Sequence, residues 1–203
     1  MQTRECIVEV PHLVLASASP RRSALLSQIG LTFKIHPSAI VEPSPTVHTN
    51  KPVSEVTQAL ALLKATSVTQ YYDHGLIIGA DTLVSLDGEL LGKPIDDADA
   101  LVMLSRLSGA CHEVVTGVAL IDAATGRECI WSETTQVYFR KLQHPEITTY
   151  IASGEPSDKA GAYGIQGRGA AFVRRIEGCY FNVVGLPLAS LVEHLSDFQS
   201  KED

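Results

Sequence analysis

Leu13-Val14-Leu15-Ala16-Ser17-Ala18-Ser19-Pro20-Arg21-Arg22 reads as an apolar strand that runs into small hydroxyl residues and then into the first turn of a helix. Proline suits a first helical turn because the N–H it lacks has no partner there, and Ser19 stands where a side chain can cap the remaining donors. Strand, short turn and helix in this order open an α/β fold. The turn also gathers free backbone donors and two guanidiniums, which together suit an anion carrying several phosphates.

The segments that follow extend the same pattern. Apolar periodicity predicts helices over residues 20–29, 54–69, 96–107, 145–152 and 187–198, and strands over 13–16, 32–36 and 76–80. The strand at 76–80 is expected to stop at Asp81. Asp87-Gly88 between residues 82–86 and 89–91 is a hairpin signal. Two long strands are expected at 113–122 and 129–139, and two short ones at 171–176 and 180–184. Early alternation of strands and helices, followed by adjacent strands, implies an α/β fold with a mixed sheet. Residues 1–203 are expected to form one domain.

Composition narrows the function. The chain is 45% hydrophobic and 19% charged, enough apolar material for a core. Sixteen Lys and Arg against twenty-three Asp and Glu give a formal charge of −7. An acidic surface has no general attraction for a nucleic acid polymer, so a polyanionic ligand needs local positive charge. No apolar run approaches the ~18 residues of a membrane span, and the first ten residues lack the apolar core of a signal peptide, so the cytoplasm is the expected location. Cys6, Cys111, Cys129 and Cys179 have neither metal-site spacing nor the density of a disulfide framework.

Several side chains can do chemistry. Asp81 is expected at the carboxyl end of an apolar strand, where ligands of α/β sheets gather; it can bind a hard divalent cation, orient and deprotonate water, or cap a turn. Glu42, a lone acid in the polar loop 37–52, can complete a metal site with it or be a solvated loop acid. Lys93, held between Gly92 and Pro94, can place an ammonium near phosphate. Lys64 lies beside an apolar helix face and can snorkel to solvent or reach a cleft. Arg21 and Arg22 point about 100° apart on a helix, so one can face phosphate while the other braces a carboxylate. Asp158 to Gly169 is rich in glycine without matching a dinucleotide or phosphate-loop pattern. Within it, the Gln166 amide has the donor and acceptor to pair with a uracil-type base edge. The histidines form no ligand cluster, and Ser17 and Ser19 lack the context of a serine hydrolase nucleophile.

Taken in order, Leu15 to Arg22, Gly79-Ala80-Asp81-Thr82, Gly92-Lys93-Pro94, Arg106-Leu107-Ser108-Gly109, Asp158 to Gly169 and Val184-Gly185-Leu186-Pro187 closely resemble the Maf-like nucleoside triphosphate pyrophosphatases. The resemblance implies an elongated mixed sheet flanked by helices, with two lobes around a deep cleft. It further implies hydrolysis of a nucleoside triphosphate to monophosphate and diphosphate with a divalent cation, Mg²⁺ or Mn²⁺, and a homodimer. By position, Asp81 resembles the proton acceptor, Glu42 an acid that helps place metal, and Ser17, Arg21, Arg22, Lys64 and Lys93 the lining around the phosphates. Arg21, Thr82 and Gln166 hold the positions associated with base selection, and their combination is similar to the branch acting on dTTP and UTP. The branch acting on 7-methyl-GTP has a glutamate in place of Gln166. Many relatives have a second acid where this chain has Val41. A different class of reading is a division-linked interaction protein that binds nucleotide with little turnover.

Overall fold

The computed structural model describes residues 8, 10–40 and 51–200. Seven strands form one mixed sheet: β1 (Leu13–Leu15), β2 (Phe33–Ile35), β3 (Leu76–Leu86), β4 (Glu89–Leu91), β5 (Cys111–Asp122), β6 (Glu128–Phe139) and β7 (Val173–Glu177). They lie in the order β2-β1-β3-β5-β6-β7, with β4 paired to β3. β1 runs parallel to β2 and β3, and every other pairing is antiparallel. The helices are α1 (Pro20–Gln28), α2 (Val53–Thr69), α3 (Asp97–Leu107), α4 (His144–Ile151), α5 (Tyr180–Val184) and α6 (Leu188–Ser200). The α/β class and the mixed sheet agree with the sequence reading. The β3–β4 hairpin turns on Asp87 and Gly88, both at positive φ, as a tight hairpin requires. Among the described residues no helix is long and apolar enough to cross a membrane.

Three local expectations are corrected. β3 does not stop at Asp81 but continues to Leu86, because β5 pairs with it from Leu76 to Ser85. Residues 180–184 are helical, not a strand. So short an apolar run cannot be assigned by period alone. Here buried Asn182 donates its side-chain amide to Val114 O and Thr135 Oγ1, which fixes the segment over β5 and β6. Ser19 occupies the N-cap of α1, but its side chain makes no capping bond.

Alternation along β3 and β5 divides the core. Leu13, Leu15, Ile78, Ala80, Val118 and Leu120 face α1 and α6, where they meet Leu25, Leu26, Leu191 and Leu195. Farther along the same face, Val84 and Val114 join a second core with Leu104 and Leu107 of α3 and Ile147 of α4. The opposite face belongs to α2: Val14, Ile77, Ala119 and Ile121 pack against Ala61, Ala65 and Val68. On that face Gly79 and Gly117 leave no side chain between sheet and helix. A Cβ at Gly79 would lie 2.1 Å from Ala61 O, and one at Gly117 2.2 Å from the Thr57 carbonyl carbon. Helix α2 therefore rests on the sheet backbone itself.

His112 on β5 is 2% exposed, with Nε2 2.8 Å from the Tyr163 hydroxyl and Nδ1 lacking a hydrogen-bond partner among the described residues. Burial pushes its pKa down from 6.5 to about 4. The unfolded chain takes up this proton near the ordinary value, and the folded chain does so only near the depressed one. The associated stability is thus complete above about pH 6.5 and falls as pH drops through the window to about 4, by about 3 kcal/mol in all. Melting temperatures between pH 7 and pH 4 are expected to fall more steeply for the native chain than for His112→Gln; parallel slopes would contradict this.

Candidate active site

The first turn of α1, the open edge of β3 and the glycine-rich segment enclose a cavity of about 610 Å³. Its position follows from strand lengths. β1 pairs with β3 only as far as Ile78, and β4 begins pairing at Val84. Between these limits the β1-side edge of β3 is uncovered, so residues from both faces of one strand, Asp81 and Thr82, line the same space. The rule that ligands gather beyond strand ends holds here for β1, not for the strand that carries Asp81.

Eight of the nine residues singled out from the sequence line this cavity: Ser17, Arg21, Arg22, Lys64, Asp81, Thr82, Lys93 and Gln166. The ninth, Glu42, lies outside the described residues, as does Val41. Asp81 is 5% exposed, and its Oδ1 accepts a short hydrogen bond from Lys64 Nζ. Lys64 reaches it from α2, so it turns inward and does not snorkel to solvent. Its close approach depends on Gly79, two residues before Asp81 on the same face, and on Gly117, directly across the strand pair.

The adjacent arginines have separate tasks. Arg21, at the mouth, donates from Nη1 to Asp158 Oδ2 at 3.0 Å. Arg22 is buried and donates to Gly185 O at 2.9 Å, Ser17 Oγ at 3.2 Å and Thr82 Oγ1 at 3.1 Å. Thr116 Oγ1 donates to Asn182 O, so in the contact between the two threonine hydroxyls, 2.9 Å apart, Thr82 is the donor. A directed chain therefore runs from Arg22 through Thr82 and Thr116 to the backbone of α5. The Thr82 hydroxyl proton is committed to this chain. The arginine that braces a carboxylate is Arg21.

Lys93 is exposed at the mouth, and the adjoining Gly92 O accepts from Gly161 N at 3.0 Å. That bond ties the lysine segment to the glycine-rich segment. Gln166 is exposed toward the cavity. Two further residues that line the cavity, Asp158 and Lys159, have no role in the sequence reading. Lys159 Nζ bonds Asp158 Oδ1 and Glu155 O, each at 2.6 Å. Burial would raise the pKa of Asp158, but hydrogen bonds from Lys159 and Arg21 outweigh it and hold the carboxyl below its ordinary value. Their signal was the Asp158-Lys159 pair opening the glycine-rich stretch, next to residues with assigned tasks.

Five cationic side chains (Arg21, Arg22, Lys64, Lys93 and Lys159) thus line the cavity with two described carboxylates, Asp81 and Asp158. Such a surplus suits a multiply charged anion. Among the described residues no three His, Cys, Asp or Glu side chains gather as a metal site. Mg²⁺ nevertheless needs only one or two carboxylates when phosphate oxygens and water complete its shell, and Asp81 fits that role.

Comparison with known proteins agrees with this chemistry. The sequence model for "Maf-like protein" matches residues 12–198. A protein of Moorella thermoacetica named dTTP/UTP pyrophosphatase is 52% identical over 186 residues, 92% of this chain and 94% of the relative. Proteins of the same name from Pelotomaculum thermopropionicum and Bdellovibrio bacteriovorus are 49% and 45% identical, covering 92% and 93% of this chain and 96% and 99% of theirs.

Proposed function

The chain belongs to the Maf-like family, and on that premise we propose that it is a dTTP/UTP pyrophosphatase: a nucleoside triphosphate and water give the nucleoside monophosphate and diphosphate. The observation that carries this reading is the single cavity holding a buried aspartate, a cationic rim and the Gln166 amide together.

The triphosphate lies in the cleft against Arg21, Lys93 and the donors of the first α1 turn, which offset its charge. Asp81 accepts the proton of the attacking water, directed at the α-phosphorus, and diphosphate departs toward the cationic rim. Lys64 is paired with Asp81 and also offers its ammonium to the phosphates. Arg22 is too committed to Ser17, Thr82 and Gly185 to move far, and it fixes the wall against which substrate rests. The Gln166 amide meets the N3–H and a carbonyl of the pyrimidine. Asp81, with Glu42, which lies outside the described residues, would hold a divalent cation. When bound, that cation supplies charge neutralisation at the phosphate oxygens. The two-lobed form of the family, with the cavity as its cleft, is part of the proposal, as is a cytoplasmic location.

The test is a panel of UTP, dTTP, CTP, ATP and 7-methyl-GTP incubated with purified protein and Mg²⁺. Diphosphate is expected from UTP and dTTP. Its release from 7-methyl-GTP alone would overturn the branch assignment, release of orthophosphate would indicate a phosphatase, and saturable binding without hydrolysis would favour an interaction protein.

A further inference from the structure

Gln166 stands on a segment whose backbone is held from beneath at both ends. On one side, Gly164 N donates to the Tyr150 hydroxyl at 3.2 Å. On the other, Arg168 N donates to Glu155 Oε2 at 3.0 Å and Gly169 N to Glu155 Oε1 at 3.2 Å. The Tyr150 hydroxyl also donates to Glu155 Oε1 at 3.0 Å, so the two anchors are one unit. Ile165, next to Gln166, is buried in the core. The fit is close: Gly167 has φ +75°, and a Cβ there would lie 2.9 Å from Glu155 Oε2. Burial would raise the pKa of Glu155, yet the two backbone donors and Tyr150 hold it below the ordinary value.

The turn that begins at Glu155 ends at Asp158, the carboxylate that holds Arg21. One four-residue turn therefore sends one acid under the Gln166 segment and another into the cavity.

We propose that Glu155 is a positioning residue for base recognition: by clamping the backbone just beyond Gln166, its carboxylate sets where the Gln166 amide stands against the pyrimidine. This rests on reading the cavity as a pyrimidine nucleoside triphosphate site. A carboxylate is needed because its two oxygens accept three hydrogen bonds from three directions. Glutamine at 155 retains the size but has one acceptor oxygen, and its NH₂ group confronts a backbone N–H.

A double-mutant cycle tests the proposal. E155Q and Q166A are each expected to lower kcat/KM for UTP roughly tenfold, the scale of one lost hydrogen bond. The combined variant is expected within about threefold of Q166A alone, because E155Q acts through a side chain already absent. Losses that multiply in the combined variant would overturn the proposal, since a merely structural glutamate weakens catalysis whether or not Gln166 is present. Melting curves identify the folded variants. If E155Q does not fold, the same cycle with Tyr150→Phe, which removes the hydroxyl linking both anchors, decides by the same criterion. Absence of UTP hydrolysis by the native chain would remove the substrate reading and the proposal with it. Unchanged UTP turnover in Q166A would overturn the proposal while leaving the reaction in place.

Discussion

Asp81→Asn is expected to lower kcat for UTP by about 10²–10⁴-fold with the fold retained. Asparagine has the same shape, and its oxygen still accepts from Lys64, so the floor of the cavity keeps its packing. What is lost is a group that can take a proton from water and a negative charge opposite the Lys64 ammonium. The pair is deeply placed, with side-chain exposures of 10% and 8% for Lys64 and Asp81. Loss of the counter-charge is therefore also expected to lower the melting temperature, because an ammonium in a poorly solvated place loses its compensation. Stopped-time diphosphate release at saturating UTP, beside a melting curve, separates the effects. Near-normal kcat in a folded variant would exclude Asp81 as proton acceptor.

The second large effect is expected from a residue with no reactive group. Gly117→Ala places a methyl where the nearest atoms are the Thr57 carbonyl carbon at 2.2 Å, its oxygen at 2.3 Å and Gln58 N at 2.5 Å. All three belong to the backbone of α2, so no side chain can swing away, and the helix must lift from the sheet. Overpacking of this kind costs about 1–3 kcal/mol, more where backbone must move. Because Lys64 rides on α2 and Asp81 is paired directly with Gly117, lifting the helix also separates the buried ion pair. Gly117→Ala is expected to lower both melting temperature and kcat/KM for UTP. Native values of both would show that α2 does not depend on bare backbone for its position.

How much of this was legible in the sequence depends on the range of the cause. The β3–β4 hairpin was legible because Asp87-Gly88 supplies positive φ locally, and the start of α1 because Pro20 fixes its own φ. The extension of β3 past Asp81 was not, since pairing with β5, distant in sequence, continues the strand through an ionisable residue. Residues 180–184 misled for a similar reason. Their helical form is held by Asn182 reaching Val114 and Thr135, contacts that no local pattern encodes. Within the site, the residue types were readable but their division of labour was not. Nothing in Arg21-Arg22 says which guanidinium faces Asp158 and which is buried behind Thr82. Glu155 is not legible because two of the three donors to its carboxylate are backbone N–H groups, which leave no mark in the sequence.

The most direct measurement is a crystal structure with a non-hydrolysable α,β-imido analogue of UTP. The expected result is the base edge at Gln166, the triphosphate along Arg21 and Lys93, and the α-phosphorus facing Asp81. Nucleotide bound outside this cavity, or lying in it with the base at Lys93 and the phosphates at Gln166, would contradict the assignment of these residues to one pyrimidine triphosphate.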